Sequence, residues 1–181
     1  MSATEIKFGG FGGQGVILAG IIIGRAASIY NDKFATLTQS FGPEARGSAC
    51  SAGVIISGSK ITYPYVTQPE ILLTMSQEAC NKFLPETTDD ATLIIEEDLV
   101  KPKELKPKMK VYGIPATRLA EELGRKMILN IVMVGFFTSV TKLVDYEAAK
   151  KAVKASVPPG TEGLNLRAFD RGFEYGTELT Q

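Results

Sequence analysis

The residues best suited to chemistry lie in two glycine-framed stretches and one isolated amide. Gly10-Phe11-Gly12-Gly13-Gln14-Gly15 has the spacing G-x-G-x-x-G and separates an alternating apolar run, 4–8, from a long apolar segment, 16–30. Glycine admits positive φ and lets a ligand approach the backbone, and a helix that starts there turns unpaired N–H groups toward an anion. Strand, glycine turn and helix together make a cradle for a phosphate or a phosphate-bearing cofactor, although the same glycines would also serve a tight packing turn. The second stretch is Gly42-Pro43-Glu44-Ala45-Arg46-Gly47. As an exposed pair, Glu44 and Arg46 would stabilise the chain by under about 1 kcal/mol. In a loop at the carboxyl end of a strand, beside the glycine turn, Arg46 would face phosphate and Glu44 would orient it or a neighbouring chain. Asn130 interrupts an otherwise apolar segment. A buried amide needs a partner, so it either satisfies a nearby backbone group or meets a ligand.

Other chemistries find little support. The chain has no histidine, and its two cysteines, Cys50 and Cys80, form no Cys-x-x-Cys pair. That removes the usual acid/base, zinc-ribbon and iron–sulfur arrangements and leaves two thiols expected to be buried. No residue is assigned a catalytic or metal-binding role. A nicotinamide or flavin dinucleotide normally finds a carboxylate at the end of the second strand. Here Asp32 precedes that strand and Gln39 and Ser40 end it. This weakens the alternative of a self-contained NAD- or FAD-binding protein without removing it.

Apolar runs at 34–38, 49–57, 71–75, 92–96 and 110–114 are bounded by turn residues and predict strands. Segments 16–30, 77–84, 116–123, 127–140, 146 onward and 163–176 predict helices, with Val144-Asp145 capping the fifth. Their alternation predicts an α/β fold: a three-layer sandwich with a mostly parallel, mixed sheet, Rossmann-like, with helices on both faces. The short spacing between the second and third strands predicts one antiparallel member. Segments 16–30 and 127–140 are almost apolar all round, so each must be covered on both sides, which favours buried interfaces. The stretch 101–110, with five lysines, is read as a solvated connector. No linker divides the chain, so 1–181 is taken as a single domain. Lys+Arg and Asp+Glu are both 20, which gives no net field toward nucleic acid or an anionic membrane. No signal peptide or membrane-spanning run is visible, and a cytoplasmic protein is expected.

At Gly10 to Val16, at Gln39-Ser40-Phe41-Gly42-Pro43-Glu44-Ala45-Arg46-Gly47 and at Asn130, the sequence resembles the gamma subunit of the 2-oxoacid:ferredoxin oxidoreductases, over essentially its whole length. The tail Asn165-Leu166-Arg167-Ala168-Phe169 agrees with it. The resemblance implies a subunit, inactive alone, of an enzyme that oxidatively decarboxylates a 2-oxoacid to acyl-coenzyme A and reduces ferredoxin. It implies alpha and beta subunits and a ferredoxin-like delta subunit as partners. Thiamine diphosphate, magnesium and iron–sulfur clusters would sit in those partners. Coenzyme A would be bound partly by this chain, through Gly10, Gly12, Gly13, Gln14, Gly15, Arg46 and Asn130. Of the possible substrates the resemblance favours 2-oxoglutarate, with pyruvate and branched-chain 2-oxoacids as alternatives.

Overall fold

The computed structural model of the chain describes residues 3–41 and 49–181. Six strands form one sheet: β1 (Thr4–Phe11), β2 (Phe34–Ser40), β3 (Ala49–Ser57), β4 (Ile71–Thr74), β5 (Thr92–Glu96) and β6 (Lys110–Ile114). Their spatial order is β2-β3-β1-β4-β5-β6. β3 runs antiparallel to both neighbours, and every other pairing is parallel. The antiparallel member expected from the short second connection is therefore β3.

Alternation along the strands sends side chains to two faces. Ile6, Phe8, Val54, Leu73 and Ile94 point into the larger core, under α1 (Val16–Tyr30). The opposite face carries Leu72, Leu93 and Ile95, against Ala79, Cys80 and Phe83 of α2 (Gln77–Phe83). Beside β3 this second face is covered by the connector 58–70. There Val66 lies close to Gly53, and Thr36 donates to the Pro64 carbonyl at 3.4 Å. The larger core also takes α3 (Ala116–Glu122) and α4 (Leu129–Thr141). Phe137 of α4 packs on Phe8 with ring centroids 5.5 Å apart. Beyond this layer lie α5 (Tyr146–Ser156) and α6 (Glu162–Leu179).

These outer helices account for the apolar helices. α5 lies over α1 and α6 over α4, so both are sandwiched between the sheet and another part of the same chain. The covering expected of a partner is thus largely intramolecular. Within α4 every residue from Leu129 to Ser139 is buried. α4 and α6 cross closely, because a Cβ on Gly135 would sit 2.0 Å from the Phe169 carbonyl oxygen and one on Gly172 1.9 Å from that of Val132. Tyr146 of α5 donates to Asp170 of α6 at 2.6 Å, and Lys150 donates to both, fastening the outer pair. Asp145 begins α5 without a side-chain cap, since its carboxylate accepts instead from Asn31 at 2.7 Å. In the connector before β6, Lys101 donates to the Glu97 carbonyl and Lys106 to that of Thr87, so these lysines stitch a loop. Among the described residues no helix is long and apolar enough to cross a membrane.

Candidate functional site

β1 and β4 are parallel neighbours, yet the helices that follow them leave toward opposite faces: α1 over the larger core, α2 over the smaller. In an open α/β sheet such a divergence leaves a crevice outside the carboxyl ends of the two strands, where ligands bind. The glycine turn stands at that place. Its tightest requirements are at Gly13 and Gly15, with φ of +95° and +73°. Side chains are strained at such angles. Among the described residues a Cβ at Gly13 would meet nothing within 4 Å, whereas one at Gly15 would lie 2.3 Å from Asn130 Nδ2. α1 begins directly after Gly15 with no side-chain cap and no acidic residue in its first turn. Among the described residues no side chain caps its leading N–H groups, which can therefore receive an outside acceptor.

The two amides of the site turn inward. Gln14 Oε1 accepts from the Phe11 N–H at 2.7 Å, and Gln14 Nε2 donates to the Met75 carbonyl at 2.8 Å. Asn130, buried at the start of α4, donates from Nδ2 to the Gly15 carbonyl at 3.2 Å. That carbonyl also accepts the Ala19 N–H at 3.0 Å. Gly10, Gly12, Gly13, Gln14, Gly15 and Asn130 are therefore brought together, with the amides bracing the turn. Glu44 and Arg46 lie outside the described residues. Ala49, which follows their loop, pairs with Phe11 at the same edge of the sheet.

Beside the turn is a cleft of about 420 Å³, walled by Phe11, Gln14, Met75, Leu99, Lys126 and Met127. Sequence reasoning missed Leu99, Lys126 and Met127. The helix expected from residue 127 starts at Leu129, after a 3-10 turn over Lys126–Ile128. That turn leaves Met127 at 74% exposure on the rim, with Leu99 at 42% and Phe11 at 36%. Lys126 adds a cation whose nearest carboxylate oxygen among the described residues, on exposed Glu121, is 3.9 Å away. So long an exposed ion pair holds the lysine weakly. The described residues of the cleft thus offer an apolar wall beside the Lys126 ammonium and the start of α1, which suits a ligand with an anionic group and an uncharged body.

Leu99 is held by Glu96, a fully buried carboxyl at the end of β5 that accepts the Leu99 N–H at 2.8 Å. Burial pushes its pKa up, and the amide hydrogen bonds only partly oppose this. Burial likewise raises the thiol pKa values of Cys50 and Cys80, so neither is poised as a nucleophile. Among the described residues no group of three histidine, cysteine or acidic side chains could hold a metal ion. A dinucleotide would need its ribose-binding carboxylate on a strand next to β1. Antiparallel β3 fills that place instead, and β2, one strand further out, ends in Gln39 and Ser40.

Comparison with known proteins gives a consistent picture. The family model for pyruvate ferredoxin/flavodoxin oxidoreductase matches residues 5–175. A 2-oxoglutarate synthase subunit KorC from Methanocaldococcus jannaschii is 46% identical over 178 residues, covering 97% of this chain and 95% of its own. The crystal structure of a keto/oxoacid ferredoxin oxidoreductase gamma subunit from Geobacter sulfurreducens superposes with a TM-score of 0.88 at 39% identity, covering 98% of each chain. A 2-oxoglutarate:ferredoxin oxidoreductase from Magnetococcus marinus, solved with 2-oxoglutarate, coenzyme A and succinyl-CoA bound, shares the fold. Its TM-score is 0.88 at 18% identity, and the match covers 99% of this chain and 32% of that one.

Proposed function

Because this chain belongs to the pyruvate ferredoxin/flavodoxin oxidoreductase family, we propose that it serves as the gamma subunit of a 2-oxoglutarate:ferredoxin oxidoreductase and that its glycine-turn cleft holds part of coenzyme A. The full-length likeness to a 2-oxoglutarate synthase subunit supports the substrate, and the Magnetococcus marinus enzyme, with coenzyme A bound, supports the ligand class. The observation that carries the site is the uncapped start of α1, opened by Gly13 at the divergence of β1 and β4. There the leading amides of α1 would receive a phosphate, with Lys126 supplying counter-charge from the rim. Arg46 would add a second cation. The apolar wall of Met75, Leu99 and Met127 would lie along the uncharged part of the ligand. Thiamine diphosphate, magnesium and iron–sulfur clusters, carried by alpha, beta and delta subunits, would supply decarboxylation and electron transfer to ferredoxin. This chain's own part is to bind and orient the acyl acceptor.

Steady-state kinetics of the reconstituted complex test the reading. Gly13→Val fills the approach to the α1 amides, and Lys126→Ala and Arg46→Ala each remove a cation. Each should raise the KM for coenzyme A, the two cation removals by about tenfold for the loss of one charge-assisted hydrogen bond. The KM for 2-oxoglutarate should stay within about twofold. An unchanged coenzyme A response in all three variants refutes the assignment. The self-contained nucleotide-binding alternative predicts NAD- or flavin-dependent turnover by the purified chain alone, and the geometry beside β1 argues against it.

A further inference from the structure

We propose that the carboxamide of Gln14 is an inserted rung of the sheet, a positioning group that holds the ends of β1 and β4 apart and so sets the width of the cleft. The two strands pair in parallel through Gly9 and Thr74. The next rung begins normally, with the Met75 N–H donating to the Gly9 carbonyl at 2.9 Å. In a parallel ladder a residue that donates to one strand position accepts from the position two further on. The Met75 carbonyl would therefore accept from the Phe11 N–H. Instead both groups turn to Gln14: the Phe11 N–H donates to Oε1 at 2.7 Å and Nε2 donates to the Met75 carbonyl at 2.8 Å. One side-chain amide replaces one direct hydrogen bond with two in series.

Neighbouring strands lie about 4.8 Å apart when joined directly, and an amide placed between them must part them further. Only one orientation of the carboxamide satisfies both strands, because Phe11 presents a donor and Met75 an acceptor. The insertion also needs room, which Gly10 supplies: a Cβ there would sit 2.7 Å from Gln14 Oε1. Phe11, Gln14 and Met75 all wall the cleft, so the parted rung borders it. With both ends of its amide engaged by the backbone, Gln14 shapes the site without needing to touch the ligand.

The geometric half of this inference stands without any ligand, and its kinetic half rests on the coenzyme A reading. The test is Gln14→Leu in the assembled complex, with Gln14→Met as a second variant should the first fail to assemble. Hydrogen exchange of the segment containing Phe11 is followed by mass spectrometry with no coenzyme A present, and steady-state kinetics are then measured. We expect exchange at Phe11 to quicken by about tenfold, as for loss of one hydrogen bond. We expect the coenzyme A KM to rise by a similar factor while kcat stays within about twofold. Unchanged exchange overturns the rung. A raised KM with unchanged exchange does so too, and makes Gln14 a ligand contact. Faster exchange with an unchanged KM upholds the rung and removes coenzyme A from the cleft.

Discussion

The contact between Asn130 and Gly15 makes the joint between α4 and the glycine turn measurable as a coupling energy. Gly15→Ala brings two penalties. At φ of +73° an alanine is in the left-handed region, which costs about 1–2 kcal/mol. Its Cβ would also overlap Asn130, at 2.3 Å from Nδ2 and 2.6 Å from Cγ, where overpacking costs about 1–3 kcal/mol. Asn130→Ala removes both overlapping atoms and leaves only its Cβ, 3.1 Å away. It also deletes the hydrogen bond to the Gly15 carbonyl, but that carbonyl keeps the Ala19 N–H and is not orphaned. In the Asn130→Ala background, then, Gly15→Ala should cost only the backbone part. A double-mutant cycle by urea unfolding of the chain should give a coupling of about 1–3 kcal/mol, with the double variant more stable than the sum of the singles. Strict additivity, within about 0.5 kcal/mol, refutes the contact. It would return Asn130 to the cleft as a ligand group, and a large rise in coenzyme A KM at unchanged stability would then be its signature.

Two further outcomes follow from the same structure. Gly172→Ala drives a Cβ to 1.9 Å from a backbone carbonyl that cannot rotate away, so α6 must lift from α4. A stability loss beyond about 3 kcal/mol in urea is expected, and near-neutral unfolding would contradict the crossing. Glu96→Gln keeps an acceptor for the Leu99 N–H while removing a buried carboxyl whose pKa burial raises. A raised carboxyl pKa means the native state holds its proton more tightly than the unfolded chain, so the group lowers stability as pH climbs through and above the ordinary glutamate range. Thermal unfolding of the parent should therefore lose stability over that rise. Glu96→Gln should flatten the profile, and equal slopes in the two proteins would refute the cause.

The sheet was legible where punctuation and composition agree. Residues 49–57, 92–96 and 110–114 form strands with the expected bounds, since turn residues close each run. β1 runs three residues past the expected Phe8. Gly9 and Gly10 give no apolar signal, although their backbones pair with Ser51 and Cys50. The composition of 16–30 and 127–140 reported burial but not what buries them, and α5 and α6 do so from the same chain. The glycine turn was legible because its backbone demand is local. Its braces were not: Asn130 lies 115 positions from Gly15 and Met75 lies 61 from Gln14. Leu99 and Lys126 follow different strands and reach the cleft only through the order of the sheet. An exposed leucine and an exposed lysine carry no mark of that in sequence.

The glycines of the turn are needed for different reasons, and the difference separates scaffold from site. Gly10 lacks a side chain because the Gln14 carboxamide and Val16 each come within 2.7 Å of where its Cβ would be. Gly15 lacks one because Asn130 occupies the space and its backbone is left-handed. Both are accounted for by the chain's own packing. At Gly13 the need is the backbone's alone: its φ is +95°, and among the described residues nothing lies within 4 Å of where its Cβ would be. On the coenzyme A reading proposed above, that open side is where the ligand would approach the backbone, and bulk added at Gly13 would weaken coenzyme A binding on top of the strain of a left-handed side chain.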